Sequence, residues 1–111
     1  EHMIQESERA AGKWGATVEV THQRHYTAYE IAPEARVVQV AQRAARSLGF
    51  DGALRTTLGG SDANVYNAKG VPSIVVATGM EQIHTHDEFV SRKDLVDCAR
   101  LAYAILQEAA R

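Results

Sequence analysis

Hydrophobic residues recur at helical spacing in three segments of the chain, which predicts three amphipathic helices. The first is expected between His2 and Lys13. The second is expected to begin at Pro33, a favoured first helical residue, and to end at Gly49. The third is expected after Ser91, where Ser-x-x-Asp at 91–94 is a capping box. The predicted apolar stripes consist of Val37, Ala41, Ala44, Ala45 and Leu48 in the second helix and of Leu95, Ala99, Ala102, Leu106 and Ala109 in the third, with Cys98, Tyr103 and Ile105 beside the latter.

Three other segments have the composition of β-strands. Residues 16–31 are rich in Thr, Val and Tyr, and their apolar positions change parity, which predicts a long strand with a bulge or break near His22–His25. Residues 53–58 predict a short strand. Residues 73–77 are apolar on both faces, which is typical of a buried parallel strand covered by helices. The fold class is therefore α/β, with a right-handed βαβ unit over 53–77 whose strands are parallel neighbours or near neighbours.

The turn between these two strands carries candidate binding residues. Gly59 and Gly60 allow positive φ and close approach, Ser61 is a favourable N-cap, and Asp62 lies in the first turn of a short helix that Gly70 closes. One interpretation is a site for a substrate carboxylate, since helix N-termini attract anions. The other is a tight structural turn with Asp62 as a cap. Asn64 either binds substrate or faces solvent.

A histidine and acid cluster follows the carboxyl end of the second strand, where α/β sheets place their sites. It contains His84, His86, Asp87 and Glu88. By itself, a histidine after a strand is more often a surface or capping residue than a metal ligand. His84 and His86 share a face if the segment is extended, but a zinc site needs three or four ligands.

The ordered combination of these motifs resembles a known family. GGSDAN at 59–64, Gly-Val-Pro at 70–72, an apolar strand and GMEQIHTHDEFV at 79–90 are similar to the C-terminal catalytic segment of the co-catalytic zinc peptidases. That family includes peptidase T, carboxypeptidase G and the aminoacylases, and the similarity is closest to the peptidase T-like branch. The resemblance implies that residues 33–111 are part of a three-layer α/β catalytic domain. It also implies that residues 1–31, a helix and then a strand, end an α+β lid domain that often mediates dimerisation.

The resemblance also implies a chemistry. In the family, two zinc ions share a bridging carboxylate and a water, and one histidine ligand comes from an H-x-x-x-E segment. That pattern matches His84, with Glu88 as the carboxylate that supports it. The other ligands and the glutamate general base lie upstream in the family, so no catalytic residue is expected in this chain. Leu58 stands where the true tripeptidase has arginine, so tripeptide specificity is not implied.

The composition limits the classes of partner that we expect the chain to bind. The net charge of −2 and the lack of a basic block argue against a nucleic-acid or membrane partner. The single cysteine, Cys98, excludes an internal disulfide. No signal peptide is visible, and we expect a cytoplasmic protein.

Two functions follow. The chain is either the C-terminal part of a zinc-dependent metallopeptidase that cleaves small peptides or amides, or a non-catalytic assembly or binding module derived from that fold. In the first case its partners are a peptide substrate, the rest of the catalytic domain and a second copy bound through the lid domain. By itself the 111-residue chain is expected to be inactive.

Overall fold

The computed structural model describes residues 1–111 and contains four helices and one very short hairpin. Helix α1 spans His2–Gly12, α2 spans Arg36–Ser47, α3 spans Asp62–Ala68 and α4 spans Arg92–Ala109. Strands β1, Met80–Glu81, and β2, Phe89–Val90, pair antiparallel with Met80 opposite Val90. No helix is long and apolar enough to cross a bilayer.

The helix boundaries follow the local sequence signals. Ser91 Oγ accepts a hydrogen bond of 3.0 Å from the N–H of Asp94, which confirms the predicted cap of α4. Gly49 and Gly70 adopt φ of 83° and 78° just after α2 and α3, as a helix-terminating glycine does. The predicted start of α2 is wrong by three residues. Its N-cap is Ala35, and Pro33 lies in the preceding turn, where its carbonyl accepts a bond from the side chain of Gln39.

The only substantial packing between elements is that of α2 against α4. Arg43 pairs with the carboxylate of Glu108, and Arg36 donates to the carbonyl of Ala109, where α2 meets the end of α4. The predicted apolar stripe of α4 does not face α2: Leu95 and Leu106 are 61% and 69% exposed. The half-buried face contains Asp94, Asp97, Cys98, Leu101, Ala104, Ile105 and Glu108. The buried side chains are Val38, Val40, Ala44, Ala45, Ala63 and Asn64.

The predicted strands at 16–31, 53–58 and 73–77 are not part of any sheet. The main chain of residues 54–58 and 74–79 makes no hydrogen bond to other main-chain groups. Residues 53–58 and 73–77 are therefore neither a parallel pair nor an antiparallel hairpin, and the βαβ unit is incomplete here. The reason is physical: a strand is stabilised only when a neighbouring strand satisfies its N–H and C=O groups.

The chain is open rather than closed around one core. Its radius of gyration is 19.8 Å, whereas a compact domain of this length has about 13 Å. Residues 1–31 share no core with the rest, since Trp14 is 88% exposed and Val18 and Val75 are also exposed. The faces of the helices that would meet a sheet are thus largely uncovered.

The pair of Arg43 and Glu108 predicts acid sensitivity of the packing between α2 and α4. The hydrogen bond that Arg43 donates lowers the pKa of Glu108 below its ordinary value, and the positive charge of Arg43 lowers it further. Partial desolvation of the carboxylate acts in the opposite direction but does not cancel this effect. A carboxylate with a lowered folded pKa stabilises the fold above the unfolded pKa, about 4.3, and this contribution is lost as pH falls through the folded value. In thermal melts followed by circular dichroism, we expect Tm to fall between about pH 5 and pH 3.

Arg43→Gln should make Tm depend less on pH in this range, whereas Arg46→Gln, an exposed change on the same helix, should leave the pH dependence unchanged. Equal slopes in both variants would contradict the assignment.

Candidate metal-binding turn and substrate loop

The histidine predicted as a ligand lies in a tight turn between β1 and β2. Gln82 and His84 both adopt positive φ, 51° and 66°. Thr85 stabilises the turn through two hydrogen bonds, because its N–H and its hydroxyl both donate to the carbonyl of Gln82, at 3.2 and 2.7 Å. Positive φ is strained for residues other than glycine and persists only where surrounding contacts impose it.

Glu88 supplies one of those contacts. Its Oε2 accepts a hydrogen bond of 2.8 Å from the main-chain N–H of His84. The carboxylate predicted to support the histidine thus holds its backbone rather than its ring. The side chains of His84, His86 and Asp87 are exposed at the tip of the turn. The imidazole of His84 is therefore presented outward from a backbone whose conformation is fixed.

The donor set suits a zinc ion only in part. No group of three or more His, Cys, Asp or Glu side chains is arranged to hold a metal ion. Neutral imidazole is a good zinc ligand, but a structural zinc ion takes four protein ligands and a catalytic one takes three. The turn can contribute one ligand, and the other ligands would have to come from outside this chain.

The second candidate group, Gly60 to Asn64, is organised by Asn64. This side chain is buried, with a relative exposure of 6%. Its Oδ1 accepts a hydrogen bond of 2.9 Å from the N–H of Ser61, which completes the capping box of α3. Its Nδ2 donates at 2.9 Å to the carbonyl of Thr27. The amide of Asn64 is thus engaged by the chain's own backbone, while Gly60, Ser61 and Asp62 are exposed.

Gly60 lies close against the N-terminal segment of the chain. A Cβ on Gly60 would collide with the ring of Tyr26. Together with the bond from Asn64 to Thr27, this contact fastens residues 26–27 to the start of α3. Sequence reasoning missed the roles of Tyr26 and Thr27. The glycine was a signal of a close approach, but nothing local indicated which residue would approach it.

Asn67 is a second residue that sequence reasoning missed. Its Nδ2 donates at 2.8 Å to the carbonyl of Ser73, and its Oδ1 accepts at 3.0 Å from the N–H of Ser73. This two-way bond mimics a strand pairing and fixes where the apolar segment 73–77 begins. No hydrogen bond joins the loop at 60–64 to the turn at 82–88, so the structure does not link the two groups directly.

Comparison with known proteins places these motifs in context. The family model of peptidase family M20/M25/M40 matches residues 2–108. Protein YqjE of Bacillus subtilis (strain 168) is 38% identical over 104 residues, which cover 94% of this chain and 28% of that protein.

Two solved structures are similar over nearly the whole chain. The aminopeptidase PepT from Bacillus cereus ATCC 10987 has a TM-score of 0.78 and 36% identity, covering 98% of this chain and 29% of that one. A tripeptidase from Staphylococcus aureus subsp. aureus mu50 has a TM-score of 0.83 and 33% identity, covering 99% of this chain and 30% of that one. The α/β peptidase fold predicted from sequence is supported by these neighbours. The chain spans less than a third of the length of the proteins it matches.

Proposed function

Because the chain belongs to peptidase family M20/M25/M40, we propose that it forms the C-terminal part of a zinc-dependent, peptidase T-like metallopeptidase that hydrolyses small peptides or amides. The observation that carries the proposal is the similarity to the aminopeptidase PepT, at 36% identity over 98% of this chain. The exposed His84 in its fixed turn supports it, since this is the residue that matches the family's histidine ligand.

His84 and Glu88 have separate roles in the proposed mechanism. His84 would bind one of two zinc ions, whose chemistry would be to lower the pKa of a bound water molecule so that it can give up a proton and act as a nucleophile near neutral pH. Glu88 accepts a hydrogen bond of 2.8 Å from the main-chain N–H of His84, so it would hold the backbone that carries the imidazole. The general base and the remaining ligands would belong to the rest of the catalytic domain.

The loop at 60–64 would contact the substrate. The N–H groups of Gly60 and Asp62 have no hydrogen-bond partner within the chain. They are available to a peptide carboxylate together with the Ser61 hydroxyl. Asn64 would support substrate binding indirectly, by holding this loop in its conformation. Both its Oδ1 and its Nδ2 are already bonded to backbone groups of the chain.

The same proposal assigns each of the two parts of the chain to a domain of the peptidase. Residues 33–111 would belong to the catalytic domain and residues 1–31 to the end of a lid domain through which two copies could pair, in a cytoplasmic enzyme. The contacts of Tyr26 and Thr27 with the loop at 60–64 would then lie where the two domains join.

A chimera tests the function. The segment of Bacillus cereus PepT that this chain matches is replaced by the 111-residue chain, and hydrolysis of di- and tripeptides is measured with Zn²⁺, Co²⁺ or Mn²⁺ added. We expect metal-dependent hydrolysis by the chimera and none by the 111-residue chain or by PepT lacking the segment. Metal-dependent hydrolysis by the 111-residue chain alone would refute the proposal that the remaining zinc ligands and the general base lie outside this chain. A folded but inactive chimera would favour the alternative, a non-catalytic module.

A further inference from the structure

The hairpin that carries His84 is attached to α4 at both of its ends. The residue that follows β2 is Ser91, which is also the N-cap of α4. The residue that precedes β1 is Gly79, which lies against Asp94 in the first turn of α4. The place at which the hairpin leaves the body of the chain is therefore set by three residues, Gly79, Ser91 and Asp94. We call these three residues the hairpin base.

Asp94 is the fixed part of the hairpin base. Its carboxylate accepts a hydrogen bond of 2.5 Å from Ser91 Oγ, and its N–H donates to the same oxygen at 3.0 Å. The direction of its Cβ is dictated by the backbone of α4, and α4 is held on α2 by the pair of Arg43 and Glu108. A collision at Asp94 is therefore relieved by movement of the hairpin and not of the helix.

Gly79 approaches Asp94 more closely than any other residue type could. A Cβ added at Gly79 would lie 2.5 Å from the Cβ of Asp94 and 3.0 Å from its Cγ. Non-bonded carbon atoms approach each other to about 3.5 Å. A side chain at position 79 would thus move the hairpin away from α4 by about 1 Å, the difference between these two distances.

Such a movement at the base is carried to the tip of the hairpin, because strands and turn form one hydrogen-bonded unit. Met80 pairs with Val90 and Glu81 with Phe89. Beyond these pairs, the carboxylate of Glu88 accepts a bond of 2.8 Å from the N–H of His84. The backbone of His84 therefore follows the hairpin base.

We propose that Gly79 is a positioning residue for His84. Because it has no side chain, the hairpin lies against Asp94 at the distance from which the imidazole meets its metal ion. The proposal rests on the proposed function in taking His84 as a ligand, whereas the contact of Gly79 with Asp94 does not depend on it. Catalytic groups must be held to within about 0.5 Å of their productive position. A displacement of 1 Å that originates away from the reacting atoms can lower the rate about 100-fold.

Gly79→Asn in the chimera with Bacillus cereus PepT tests the proposal. Gly79 has a φ of 76°, and asparagine tolerates positive φ, so this variant isolates the effect of the added Cβ. We expect kcat to fall about 100-fold with little change in KM or Tm. The absorption spectrum of the Co²⁺-substituted chimera should also change, because it reports the coordination geometry of the metal. Gly49→Asn is the matched control: φ is 83° and nothing lies within 4 Å of the added Cβ, so kcat and spectrum should stay unchanged.

A rescue variant separates positioning from a general loss of structure. Asp94→Gly removes the side-chain atoms with which the new Cβ collides. The double variant Gly79→Asn/Asp94→Gly should therefore recover at least about 10-fold of the lost kcat, together with the spectrum of the unaltered chimera, because residues in contact do not act additively. Additive losses would show that the two residues act separately, and would overturn the proposal.

A third measurement depends on neither metal nor activity. In crystal structures of the chimera with and without Gly79→Asn, the hairpin should lie about 1 Å farther from α4 in the variant. An unmoved hairpin, or kcat and spectrum equal to those of Gly49→Asn, would overturn the proposal. So would failure of both the single and the double variant to fold, since Gly79 would then serve the fold and not the ligand. A displaced hairpin in a chimera that hydrolyses no peptide would refute the proposed function and leave the contact of Gly79 with Asp94 standing.

Discussion

Replacing His84 with alanine in the chimera is expected to lower kcat/KM for peptide hydrolysis by more than about 100-fold, the upper end of what loss of a supporting residue costs. The reason is that, under the proposed function, His84 is the one zinc ligand that this chain supplies, and a catalytic zinc ion with three protein ligands cannot lose one and keep its geometry. Zinc content, measured on the purified protein by mass spectrometry, should fall with the activity.

The neighbouring histidine provides the matched control. His86 is equally exposed and lies in the same turn, so His86→Ala should change kcat/KM by no more than a few-fold. Because His84 has a φ of 66°, alanine there strains the turn. His84→Asn separates the two effects, since asparagine tolerates this conformation and is a poor zinc ligand. Equal losses from His84→Ala and His86→Ala, or activity retained by His84→Asn, would refute the ligand assignment.

Replacing Val40 with aspartate is expected to abolish cooperative unfolding of the 111-residue chain. Val40 is 6% exposed and lies between Arg36 and Arg43 on the face of α2 that contacts α4. Burying a carboxylate in place of an apolar side chain costs several kcal/mol even with arginines nearby, because the cost of desolvation can exceed the Coulombic gain. That loss is comparable with the whole stability of a small domain, and this chain buries only six residues.

The measurement is thermal and urea unfolding followed by circular dichroism at 222 nm. Val96→Asp is the matched control, because it makes the same change on α4 at a position that is 58% exposed. It should alter the free energy of unfolding by less than about 0.5 kcal/mol. A cooperative transition of normal midpoint in Val40→Asp would show that packing of α2 on α4 does not stabilise the chain.

The features that the sequence determined by itself are those that depend on neighbours in the chain. The cap of α4 follows from Ser91 and Asp94, three residues apart, and Gly49 and Gly70 end their helices because glycine adopts positive φ without strain. The peptidase family was also visible in the order of its motifs, and comparison confirms it. The roles of His84, Glu88 and the loop at 60–64 remain predictions that the proposed variants test.

The tertiary structure alone decided the features that depend on distant residues. The face that α4 presents to α2 lies beside the main predicted stripe and includes Cys98 and Ile105. The sequence does not show which face meets α2, because contacts such as that of Arg43 with Glu108, 65 positions apart, leave no local pattern. The burial of Asn64 likewise depends on Thr27, 37 positions away. Strand composition at 53–58 and 73–77 was recognisable, but composition supplies no hydrogen-bond partner. Whether these segments become strands depends on a neighbouring strand, because a β-ladder forms only between two extended segments.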